Sequence, residues 1–188
     1  PGIRLASAPQ LAQRAAVTLA PTAELELDVA VRAGDADLEL GGMRLRSLKL
    51  HAAAGRAVVR WSRANAGACS RAEFRAEAAD LKLLGLGWSG CRAVRVEGGV
   101  GTITVDLGGA WPADAVLEAV VTLGGVRLVV PDGLGVRLAL DRVAASFKPE
   151  GFVRQGDAWV SEGYDAATRR VDVRIAAKVG GVEVTRTH

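Results

Sequence analysis

The feature that most restricts how this chain can fold is a spacing that returns every twenty-odd residues. An apolar-x-apolar pair is followed by four residues, then a small residue, one further position and a second apolar-x-apolar pair. Val94, Val96, Gly101, Ile103 and Val105 define the pattern. It recurs upstream as Leu27/Val29/Gly34/Ala36/Leu38, Leu48/Leu50/Gly55/Ala57/Val59 and Ala72/Phe74/Ala79/Leu81/Leu83. Downstream come Leu117/Ala119/Gly124/Val126/Leu128, a weaker Leu138/Leu140/Ala145/Phe147, and Val173/Ile175/Gly180/Val182/Val184. The small residues fall at 34, 55, 79, 101, 124, 145 and 180, so all intervals but the last lie between 21 and 24.

Alternation within each unit is a strand signal, and a glycine between two short strands marks a corner. One such unit cannot bury its inward face alone, whereas units stacked about 4.8 Å apart can. The spacing therefore predicts an all-β, single-domain, right-handed parallel β-helix of about seven short coils of roughly 22 residues. Strands should dominate from residue 24 to about 184, with at most one short helix. Residues 1–19 form a lead-in segment and 20–188 the β-helix domain. Hydrophobic residues are 49 % of the 188-residue chain but aromatics only 4 %, so Ala, Val and Leu must build a narrow interior.

Two local signals compete with the repeat. The stretch SRAEFRAEAADLKLLG, residues 70–85, opens with a capping-box pair, Ser70 and Glu73, and places Phe74, Ala78 and Leu81 at helical spacing. Its propensity is helical, but the repeat aligns Ala72 and Phe74 with Val94 and Val96, so register predicts a strand. The glycine-rich run VEGGVGTITVDLGG, residues 96–109, lacks the lysine and following helix of a phosphate loop. A calcium-binding nonapeptide would need Asp where Ile103 points inward, which leaves Gly101 as a corner.

Chemistry-bearing residues are sparse. Of the two histidines, His188 is terminal and His51 lies on the outward phase of a strand, with no second His, Cys or carboxylate cluster in its coil. No nucleophile elbow accompanies them. The β-helix polysaccharide lyases and hydrolases align carboxylates on an outward face, but the position of Asp35 passes to Asp80, Thr102, Gly125 and Ser146. The reading is of no catalytic residue, no metal site and no cofactor. Formal net charge is +3 with acids and bases interspersed, which gives nucleic-acid binding little support.

No apolar run reaches the length of a membrane span, and Arg4, Gln10, Gln13 and Arg14 interrupt the first segment, so it does not read as an intact signal peptide. The chain begins at Pro1, which suits a cleaved export signal, a removed membrane segment or a shortened chain alike.

Cys69 and Cys91 are 22 residues apart, one coil, and in register. Stacking would bring their Cα atoms to about 5 Å, within the reach of a disulfide. A disulfide and a pair of buried thiols are equally weighted, and oxidation would argue for an extracytoplasmic site. Trp61, Trp88 and Trp111 fall where strands run into corners, as covers for coil edges or, less favoured, as platforms for sugars. The long interval before Gly180 contains EGFVRQGDAWVSEGY, with Phe152, Trp159 and Tyr164. Two readings stand for it: a lid over the last coils, which the spacing of its apolar residues favours, or a contact loop.

The second half of the chain, VTLGGVRLVVPDGLGVRLALDRVAASF followed by GFVRQGDAWVSEGYDAATRRVDVRIAAKVGGVEVTR, resembles the toast-rack group of β-helical domains. That group includes the C-terminal domains of bacterial cell-wall-antibiotic-response membrane proteins and adhesin-type head domains. The shared motifs are structural: a G-x-V-x-L-x-V-P stretch, a G-V-R-L strand, a Gly-Phe, a Ser-x-x-Tyr and the closing V-D-V-R-I…G-x-V-x-V. The resemblance implies a bacterial envelope or surface module for adhesion, sensing or protein–protein interaction, and no catalytic residues. The expected partner is a protein or cell-envelope component, at an extracytoplasmic location (periplasm or cell surface). A polysaccharide-binding or polysaccharide-cleaving β-helix is one alternative. A structural β-helix that assembles into a homo-oligomer through its end coils is another.

Overall fold

The computed structural model describes residues 16–141, 147 and 149–187. The chain is an all-β solenoid of about five turns. Strands β1 (Glu24–Val31) and β2 (Gly34–Glu39) are the two legs of the first turn. Each later turn is a single long strand through both legs: β3 (Arg44–Arg60), β4 (Arg71–Leu84), β5 (Ala93–Asp106) and β6 (Ala115–Pro131). All neighbours up to β6 pair in parallel, with Gly34 opposite Gly55, Gly55 opposite Ala79 and Gly101 opposite Gly124.

The repeat sets this register because it decides which side chains face inward. Leu48, Ala72, Val94, Leu117 and Val173 form one inward row, each no more than 3 % exposed. Burial of an aliphatic side chain stabilises by roughly 1.5–3 kcal/mol, and a one-residue slip would turn a whole row outward. Residues 71–84 are held as a strand for the same reason. β4 pairs with β3 on one side and β5 on the other, and Phe74 sits opposite both Leu50 and Val96. A helix there would strip partners from two strands at once. Ser70, which could have capped such a helix, instead bonds the Arg46 carbonyl through both its amide (3.0 Å) and its hydroxyl (3.2 Å).

The coil count and the order of stacking differ from the sequence expectation. Five turns, not seven, follow one another in sequence order. The next rung on β6 is supplied by β10 (Arg170–Val179) and β11 (Val182–Thr187), and β7 (Gly135–Asp141) pairs with the far side of β10. Val173 therefore lies between Leu117 and Leu138, all three in template phase. The physical reason is coverage. β10 and β11 together cover both legs of β6, while the pairing of β7 with β10 among the described residues runs along the first leg, at Gly135–Asp141. Ala145 and Ser146 lie outside the described residues. The excess length before Gly180 includes an antiparallel hairpin, β8 (Phe152–Gln155) and β9 (Ala158–Ser161), and β9 pairs with the outer edge of β7.

The two ends of the stack are consequently unlike. At the far end the hairpin closes the first leg and β11 is, among the described residues, the outer strand of the second. At the near end, among the described residues, β1 and β2 each pair only with β3, and Leu19 packs against the core. Leu19 is the last residue of the expected lead-in segment. Residues 1–15 of that segment lie outside the described residues.

Candidate functional site

The first-leg wall carries three outward columns of side chains. The central one reads Asp28, Lys49, Glu73, Arg95, Glu118, Arg174, alternating in sign through six successive rungs. Strand stacking brings the rungs within ion-pair range: Arg95 and Arg174 flank Glu118 at 3.9 and 3.5 Å. Along the strands, Arg71 pairs with Glu73 at 3.1 Å and Arg95 with Glu97 at 2.9 Å. The Arg95 guanidinium is held above its ordinary pKa chiefly by its hydrogen bond to Glu97. A shallow concavity of about 650 Å³ lies over this wall, lined by Asp28, Lys49, His51, Glu73, Arg95 and Glu118. His51 Nε2 lies 2.9 Å from Glu77 Oε1. Among the described residues no group of three His, Cys, Asp or Glu is placed to hold a metal ion.

The acid positions of the second leg are spent on structure. In the column of Asp35, Arg56 follows and then Asp80, whose Oδ1 accepts the Thr102 amide at 2.8 Å. Asp106 accepts from the Gly85 and Gly108 amides at 3.1 and 2.8 Å. Glu39 ties the first turn to the second, accepting from the Gly41 amide (2.8 Å), the Ser62 amide (3.2 Å) and the Ser62 hydroxyl (3.0 Å). Burial pushes its pKa up, but these bonds and Arg60 outweigh that and hold it below the usual carboxylate range. A lowered folded-state pKa contributes stability that is present above the unfolded value and lost as pH falls through the folded one. Glu39→Gln should therefore flatten part of the acid limb of a stability–pH profile. For so exposed a group the effect is under about 1 kcal/mol. Identical acid limbs in urea titrations of the parent and the variant would contradict this.

Cys69 and Cys91 form a disulfide in this structure, with Cα atoms 4.4 Å apart. Trp61 and Trp111 are buried, and the Trp111 indole donates to the Leu107 carbonyl at 2.8 Å. Trp88, on a short 3-10 turn at Leu86–Ser89, is half-buried beside a groove of about 340 Å³ that includes Arg60, Trp61 and Asp106.

Of the three aromatics in the long interval, Phe152 is buried on β8, while Trp159 on β9 and Tyr164 beyond it are half-buried. Trp159 lies opposite Leu138 of β7 and meets Phe147 edge to face, ring centres 6.2 Å apart. Ser161 locks the hairpin down: its hydroxyl accepts the Val136 amide at 2.9 Å and donates to the Leu134 carbonyl at 3.4 Å. The Arg170 guanidinium lies over the Tyr164 ring, 5.4 Å from its centre. With Trp159 only partly covered, Trp159→Ala should cost about 2–3 kcal/mol, below the 3–5 typical of fully buried aromatics. An unchanged melting temperature would leave the contact-loop role in place of the lid.

One set of residues was not singled out from the sequence. At the corner, Ala78, Val100, Leu123 and Val179 stack in one outward column, each directly before a small corner residue. Val100, Leu123 and Val179 are 53, 48 and 60 % exposed, and Val120 nearby is 38 % exposed. The position before each corner residue was the signal available, since a solvent-facing column would ordinarily be polar.

Fold and surface together define a β-solenoid whose walls present side chains in ordered columns. No family model matches the chain, and no curated protein matches it at a significant level. Among solved structures, the chain is similar to a "putative cell adhesion protein" from Clostridium sporogenes ATCC 15579. The TM-score is 0.56 at 14 % identity, over 90 % of this chain and 96 % of that one. The likeness is one of fold, consistent with the toast-rack resemblance read from the sequence. No helix among the described residues is long and apolar enough to cross a membrane.

Proposed function

We propose that the protein is a non-enzymatic bacterial surface or envelope module that works by contact with another protein, in adhesion or sensing. The observation that carries this reading is the exposed aliphatic column of Val100, Leu123 and Val179 on a rigid wall. Exposed apolar side chains gathered in one place mark contact surfaces more often than chance exposure does. The adhesion-related name of the structural neighbour and the disulfide, a bond of oxidising compartments, support placement outside the cytoplasm.

Beads coated with the protein are expected to retain bacterial cells. Beads coated with the Leu123→Lys, Val179→Glu double variant should retain several-fold fewer, with melting temperature little changed. Equal retention by parent and variant would remove the column from the contact surface, and no retention by the parent would remove the adhesive role. Turnover of any polysaccharide in a reducing-end assay would contradict the non-enzymatic reading.

A further inference from the structure

Among the described residues the first turn ends the solenoid with an open edge, where β1 and β2 have a strand neighbour on one side only. Their inward residues Leu25, Leu27, Val29, Ala36 and Leu38 are half-exposed, whereas Leu48, Leu50, Ala57 and Val59, one turn further in, are at most 2 % exposed. The surface lacks one more rung, and the outward columns indicate its charge.

Asp28 begins the six-rung alternation and, among the described residues, has a cation, Lys49, on one side only. Asp35, Arg56 and Asp80 alternate likewise on the second leg. The outward positions of the first turn include Glu24, Glu26, Asp28, Asp35, Asp37 and Glu39, against Arg32 alone. Glu24 pairs inward with Arg44 and Asp37 with Arg60, whereas Glu26, Asp28 and Asp35 have no ion pair among the described residues. Continuing each ladder places a basic side chain beside these acids and an aliphatic one over the inward row.

We propose that the β1–β2 edge is a docking site for a partner protein that adds an extended strand with Lys or Arg at alternate positions and aliphatic residues between. This inference rests on the protein-contact reading above but uses a different surface. Backbone bonds of the added strand would supply affinity, and the alternating charges its register and direction. A second copy fits poorly. Continuing the β11 register head to tail would set Glu183 of one copy against Asp37 of the next, both acids. Edge-to-edge pairing of two β1 strands would likewise bring Glu26 and Asp28 against their own kind.

The probe is the peptide acetyl-Lys-Val-Lys-Val-Lys-Val-Lys-amide, titrated into the full chain with backbone amide shifts as the readout. Two controls are a peptide with Glu in place of each Lys, and one with four Lys followed by three Val. The alternating basic peptide should bind with shifts concentrated in β1 and β2, and both controls should bind at least about tenfold more weakly. Glu26→Lys with Asp28→Lys should weaken the basic peptide by about tenfold or more and favour the acidic one. Glu26→Gln with Asp28→Asn should give an intermediate loss and serves if the reversed pair folds poorly. Absence of binding, equal binding of the block peptide, or shifts elsewhere would overturn the proposal. So would exchange protection of the outer β1 amides without peptide, or concentration-dependent dimers, since residues 1–15 or a second copy would then cover the edge. The Leu123→Lys, Val179→Glu variant should keep peptide binding, so failure of the edge and failure of the adhesive column are separately visible.

Discussion

Replacing Gly124 with valine is expected to destabilise the protein by about 4 kcal/mol, a large part of the 5–15 kcal/mol that holds a domain of this kind folded. Gly124 has φ of +144°, a conformation side chains rarely adopt, and a Cβ there would run into the carbonyl oxygen of Gly101 in the turn below. Gly180 stands in the same relation to Gly124 one rung further on, so the column leaves no room for local relief. Backbone strain alone costs about 1–3 kcal/mol, and the collision adds to it. Gly133→Ala isolates the first contribution, because Gly133 has φ of +78° but nothing within 4 Å of the added carbon. Gly125→Ala, with the Gly181 oxygen at an ordinary 3.6 Å, should be nearly neutral. Urea midpoints for the three variants test the order. If Gly124→Val and Gly133→Ala lose the same stability, the stacked corner is not the tight contact described here.

Removing the disulfide should cost about 3 kcal/mol. The bond closes a loop with a sequence separation of 22, and the chain-entropy model for a loop of that length gives roughly that figure. The effect acts mainly on the unfolded chain, because stacking of adjacent turns already holds Cys69 and Cys91 together in the native state. Native structure should therefore survive reduction while the unfolding midpoint falls. Cys69→Ser with Cys91→Ser should match the reduced parent, apart from small packing losses at two buried sites. Equal midpoints with and without reductant, after mass spectrometry has verified the bond, would show that the cross-link restricts the unfolded chain very little.

The sequence by itself determined the inward rows. A period near 22 with alternating apolar residues admits few ways to bury every unit, so it determined the strand at 71–84 against local helix propensity, the glycine corner column and the one-turn offset of the two cysteines. Those features depend on spacing, and spacing is written in the chain. The tertiary structure decided which rung lies against which. Leu138 and Val173 carry the same pattern, and nothing in either segment says which should lie next to Leu117. β10 and β11 take that place because they cover both legs of β6, and coverage belongs to the assembled stack. Solvent exposure was decided in the same way. Val100, Leu123 and Val179 resemble core residues in composition, and only their position outside the corner turns them into a surface. The acids of the first turn were legible one by one. Their meaning as the end of an alternating ladder required the columns, because strands stacked about 4.8 Å apart make neighbours of residues twenty or more positions apart in the chain.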